Sequence, residues 1–423
     1  MSLQDQVPST EMALAERTAG RPARPRLAAR LLHRLLARLA QGRLIVETPE
    51  GEVLDRSGPL PGPHAQLTLH NWRAMRRLLL EGDLGFAEAY VAGDWSTPDL
   101  TALLEVAAGN ETALGQGLRG LGALRWLARL RHLGRANTRR GSRRNIMQHY
   151  DLGNDFYAQW LDAGMSYSAG LYTSGAETLD QAQAAKQARA MVLLDPAPGQ
   201  RVLEIGCGWG GQAEALIREH GVHVTGVTLS PAQLAWGRDR LTRAGLADRA
   251  ELRLQDYRDL TGIYDRIISI EMLEAVGEAY WPVYFAQLRR LLAPGGVAVL
   301  QVITIADDRF EHYRSGVDFI QRHIFPGGML PSPSALRREI SSAGLLLTGS
   351  ELFGASYAST LDAWRRRFEC AWPAIESLGF APGFRRLWEY YLAYCEAGFR
   401  AGALDVGFYR IEQGGAVCDR AHD

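Results

Sequence analysis

The chain has 423 residues, comfortable for two domains, with an ordinary globular balance of 47% hydrophobic and 22% charged residues. Its 47 basic and 47 acidic side chains cancel, so no whole-molecule field draws it to nucleic acid, and no nucleic-acid-reading motif is present. The basic side is arginine throughout except for Lys186, and Cys207, Cys370, Cys395 and Cys418 lack any zinc or disulfide spacing, which argues for no metal and for a reducing cytoplasm.

In chain order, residues 1–24 are rich in Pro, Ala and Arg and read as a flexible N-terminus. Residues 27–40 carry leucines at helical spacing and predict an amphipathic helix. A strand over 42–48, Pro/Gly turns at 58–63, a helix near 71–80 and a leucine-rich segment after Asp99 complete a small α+β domain at 25–110. Residues 111–144 form a basic linker in which Leu121, Leu124, Trp126, Leu127 and Leu130 interleave with arginines. That composition suits an interfacial helix as well as a solvated linker. No stretch reaches the ~18–20 apolar residues of a membrane span, and there is no signal-type apolar core at the N-terminus.

From 145 to 415 the pattern is α/β. Val202 to Ile205 is a short apolar strand that runs into Gly206, Gly208, Gly210 and Gly211 and then a helix starting near Gln212. Glycines there let the backbone approach a nucleotide, although a glycine-rich turn alone is weak evidence. The next strand ends in Thr228 and Ser230, with Gln233 close behind; the third stops at Asp256 and Tyr257, the fourth at Glu271. Polar groups thus collect at successive strand ends, the edge where open α/β sheets bind ligands. A helix cap at Asp256 and a solvated acid at Glu271 are the plainer alternatives.

At these residues the chain resembles the class I S-adenosylmethionine methyltransferases, and within them the cyclopropane-fatty-acid-phospholipid synthase family. The resemblance rests on Gln148 to Asn154, Met165 to Ser168, the glycine turn, Gly226 to Gln233, Gln255 to Arg258, Glu271 to Glu274, Ile324 to Gly328 and Ala363–Trp364. It implies a Rossmann-like domain with a mainly seven-stranded sheet behind the α+β domain, and S-adenosylmethionine as cofactor. Tyr167 and Ser168 would touch its methionine end, with Gly206 and Gly208 supporting it. Thr228 and Gln233 would face the ribose, and Asp256 with Tyr257 the adenine. The implied reaction is C-methylation of a cis double bond in an unsaturated phospholipid, giving a cyclopropane or a methyl- or methylene-branched chain. Such an enzyme would associate peripherally with the inner membrane face, which favours the interfacial reading of the linker. Segment 305–330, with aromatics broken by charge and Gly/Pro, is the expected acyl-chain insertion. The oligomeric state is left open, a homo-oligomer included.

Ring-forming relatives hold a bicarbonate ion as base through a cysteine, a glutamate, a histidine and a tyrosine. By position the glutamate is Glu274 and the tyrosine Tyr357, but Ala169 stands for the cysteine and Gln301 for the histidine. Two readings follow: a weakened bicarbonate site using Gln301, or Glu274 as the base itself, its pKa raised by an apolar site. Glu271, where relatives often have glycine, is assigned to the cofactor's methionine or ribose. A methyltransferase of a soluble small molecule and a non-catalytic lipid- or cofactor-binding partner are the alternatives.

Overall fold

A computed structural model describes residues 25–111 and 152–414. The N-terminus and nearly all of the basic linker therefore lie outside the described residues. Helix α1 (Pro25–Leu36) buries Leu32 and Leu36 and turns Arg30 and Arg34 outward. Strands β1 (Gln41–Glu47) and β2 (Val53–Ser57) form a hairpin, and β3 (Leu60–Leu69) returns on the other side of β1, parallel to it. The expected turn at 58–63 is only Gly58–Pro59; Pro61 and Pro63 fall inside β3. They are tolerated because pairing slips there, from Gln41 opposite Leu60 to Arg43 opposite His64, and a proline has no N–H to give a ladder. Helices α2 (Arg73–Glu81) and α3 (Asp83–Val91), strand β4 (Trp95–Ser96) and helix α4 (Leu100–Gly109) complete this unit, whose sheet order is β2-β1-β3-β4.

The second unit contains helix α5 (Asn154–Ala158), α6 (Leu179–Leu194), strand β5 (Arg201–Ile205), α7 (Gly211–His220), β6 (His223–Thr228), α8 (Pro231–Arg243), β7 (Ala250–Leu254) and β8 (Tyr264–Ile270). It continues with α9 (Trp281–Leu291), β9 (Leu292–Ile305), α10 (Asp307–Arg314), α11 (Pro333–Ser342), β10 (Leu345–Leu352), α12 (Gly354–Ser377), α13 (Pro382–Arg400) and β11 (Leu404–Gln413). The seven-stranded sheet has the order β10-β11-β9-β8-β5-β6-β7, and β11 runs antiparallel to both neighbours. Its central strands are apolar on both faces, with Val202, Leu203, Ile267 and Ile268 wholly buried, as helices on both sides of a parallel sheet require. Because β6 and β8 flank β5 on opposite sides, the strand order reverses at the C-terminal end of β5, the edge at which such sheets bind ligands.

The two units share one apolar core, in which Trp95 and Leu103 join Trp364 and Tyr390. Arg386 on α13 donates to the carbonyls of Tyr90 (2.6 Å) and Trp95 (3.0 Å) while its guanidinium covers the Tyr90 ring at 4.0 Å. Segment 305–330 is likewise well packed. Phe310 stacks on Trp281, and Phe319, beside a π-helical turn at Ile320–Ile324, lies 4.7 Å from the Tyr390 ring. Among the described residues no helix is long and apolar enough to cross a membrane, and no cluster of three or more ligating side chains could hold a metal.

Candidate active site

The glycine turn at the end of β5 is built as a cradle. Gly206, Gly208 and Gly210 have φ of +86°, +49° and +80°, and a Cβ on Gly208 would meet nothing within 4 Å, so this stretch of backbone faces open space. At Gly206 a Cβ would instead stand 3.0 Å from the Met272 side chain, so a branched residue there would strain the fold as well as crowd a ligand. At the next strand ends the Thr228 hydroxyl donates to Gln233 Oε1 at 2.8 Å, which orients the amide. Tyr257 keeps a buried hydroxyl with no partner. Asp256 caps the short turn after β7 and is held in a fork by Arg258. A glycine cradle, an orphaned hydroxyl and neutral polar groups together suit a nucleoside with an amino-acid tail, so the residues present fit S-adenosylmethionine.

A second set of groups converges on Glu271, which follows β8 with a left-handed φ of +47°. For a non-glycine residue this is an uncommon conformation, held here by what the side chain binds. Glu271 Oε1 accepts from the backbone N–H of Ala169 (2.8 Å) and from Gln301 Nε2 (2.6 Å), and Oε2 accepts from the Tyr357 hydroxyl (2.7 Å). Gln301 is wholly buried on β9, and Tyr357 lies on α12. Both of its oxygens are thus engaged by groups on three other segments.

Burial pushes the Glu271 carboxyl up, while its three donors and the charge of Lys186 oppose that rise. Glu274 differs. Its Oε1 accepts from Ile303 N–H at 2.6 Å, its buried Oε2 has no partner, and desolvation together with the Glu271 charge pushes it up to about 8. The two neighbouring carboxyls sit in unlike environments: Glu271 is held by three donors, whereas Glu274 has one and is mainly neutral at pH 7.

Of the remaining expected site residues, Tyr167 hydrogen-bonds to the Tyr391 hydroxyl (2.8 Å) and packs against Trp364, while Ser168 is buried and fixed from α6 by Lys186 and Gln183. Sequence reasoning left Lys186 unassigned, although its being the chain's only lysine was visible.

A parallel sheet with one reversed strand, a glycine cradle at its central strand and polar groups at the next strand ends define a class I S-adenosylmethionine-dependent methyltransferase. A family model described as mycolic acid cyclopropane synthetase matches residues 137–409, and the chain belongs to that family. It is an S-adenosylmethionine-dependent enzyme that modifies lipid acyl chains. The tuberculostearic acid methyltransferase UfaA1 of Mycobacterium tuberculosis is 41% identical over 345 residues, 78% of this chain and 79% of that protein. The cyclopropane-fatty-acyl-phospholipid synthase of Escherichia coli is 35% identical over 347 residues, covering 81% and 86% respectively. Among solved structures, the mycolic acid cyclopropane synthase CmaA1 complexed with SAH and CTAB aligns with a TM-score of 0.61 at 28% identity, over 64% of this chain and 98% of that one.

Proposed function

We propose that the enzyme methylates the cis double bond of an unsaturated phospholipid acyl chain at a membrane surface, and that Glu271 is the base that completes the reaction. The observation that carries this is the set of donors on Glu271. Ala169, Gln301 and Tyr357 stand where ring-forming relatives hold an ion, and here they receive a carboxylate from the chain itself. With its donors already taken, the site does not fit bicarbonate, and no step is routed through that ion. Neutral Glu274 adds no second charge. The arginine- and leucine-bearing linker favours a membrane surface as the place of action.

When bound, S-adenosylmethionine supplies an electrophilic methyl group, whose addition to the alkene leaves a carbocation on the neighbouring carbon. The aromatic groups around Tyr357, including Trp364 and Phe399, exclude water that would trap the cation. Glu271 then takes the proton. Both oxygens of Glu271 are engaged by donors before the proton is taken, so the cation outlives a hydride shift between the two former alkene carbons, which turns a secondary cation into a tertiary one. Breaking one C–H bond of the new methyl then places the electron pair in a C=C between the branch carbon and the chain, and the proton on Glu271. The product is a methylene-branched chain. A ring is the second reading, favoured by the relative named for cyclopropane synthesis.

Proton NMR of acyl chains from vesicles of a cis-monounsaturated phospholipid, incubated with enzyme and S-adenosylmethionine, separates these isomers. Vinylic methylene signals are expected; upfield ring protons in their place would overturn the branched assignment.

A further inference from the structure

The chain's 47 basic residues include one lysine, and it is buried rather than on the surface, with Lys186 only 3% exposed. An ammonium is a compact charge that sheds its proton more readily on burial than a guanidinium does, so arginine would not be equivalent here. Lys186 projects from α6 and donates to Ser168 Oγ at 2.8 Å, and Gln183, one turn earlier, donates to the Ser168 carbonyl at 2.7 Å. Both contacts fix the segment whose next residue, Ala169, gives its N–H to Glu271.

We infer that Lys186 is a positioning residue for the base: it locks the Ala169 N–H onto Glu271 and supplies the counter-charge that keeps this carboxylate ionised. The inference rests on Glu271 being the base. The acids facing Lys186 come from three elements: Asp162 from the loop after α5, Glu204 from β5 and Glu271 from the end of β8. Arg240 on α8 also acts on Glu204, while Glu274 and Tyr357 face Glu271. Burial lowers the Lys186 pKa and the three acids oppose that fall. The coupling is reciprocal. Removing Lys186 lets burial raise Glu271 further, and neutralising Glu271 leaves Lys186 less able to hold its proton.

The single lysine permits a direct test in this 423-residue chain. With 13Cε-labelled lysine, one side-chain signal is expected, titrating at lower pH in Glu271→Gln than in the parent chain. In Lys186→Met the acid limb of kcat should move to higher pH, with turnover at pH 7 down by about ten-fold and recovering as pH rises. A lysine titration that ignores Glu271→Gln, or a Lys186→Met loss that is uniform across pH, would overturn the inference. If the lysine signal moves but Glu271→Gln retains full turnover, it is the assignment of the base that fails, and the coupling stands.

Discussion

Glu271→Gln lowers turnover by about 10²- to 10⁴-fold, the usual worth of a general base, while the affinity for S-adenosylmethionine measured by calorimetry is unchanged. The substitution keeps shape. The amide oxygen can still accept from Ala169 and Gln301, and the Tyr357 hydroxyl can accept from the new NH₂, so loss of the base is separated from loss of structure. In the parent enzyme, burial has raised the Glu271 pKa, so the ionised base is present above that pKa and activity falls as pH drops through it. Glu274→Gln is the natural control: Glu274, at about 8, is already neutral at pH 7, and an amide imitates that state. Equal losses in the two variants would return the base to Glu274.

The second large effect is a change of product. Glu271→Gly combined with Ala169→Cys and Gln301→His clears the carboxylate from its pocket and restores the two ion-holding side chains that the family resemblance implies. Glu274 and Tyr357 are already in place. Turnover of this triple variant should depend on added bicarbonate, and its product should move toward the cyclopropane, because a separate ion restores the base that ring closure uses in those relatives. A triple variant that keeps the branched product without bicarbonate would dissociate these residues from product choice.

The cofactor expectation could be drawn from the sequence because its residues are local. Gly206, Gly208, Thr228 and Gln233 lie within two successive βα units, where strand ends and turns can be read from spacing alone. The proposed base was not legible in the same way. Glu271 is separated from Gln301 by 30 residues, from Tyr357 by 86 and from Ala169 by 102, and only sheet order and the docking of α12 bring them together. One signal was nevertheless available: Ala169, Gln301 and Glu271 all depart from the ring-forming pattern, and read jointly they describe a compensated site, with a small residue making room, an amide donating and an acid filling the space. The leucines of α1 gave the correct helix, whereas the prolines near residue 60 suggested a broad turn because the irregular pairing of β1 with β3 has no mark in the sequence. Aromatic residues of 305–330 signalled an insertion, but their packing against α13 depended on tertiary contacts.

The central claim is that a carboxylate of the chain has taken the place of a separate ion, and its most direct test is turnover of the unmodified enzyme in buffer stripped of carbon dioxide and bicarbonate. Labelled methyl transfer to phospholipid should proceed at the same rate before and after bicarbonate is restored. Activity that disappears on depletion and returns with added bicarbonate would contradict the role assigned to Glu271.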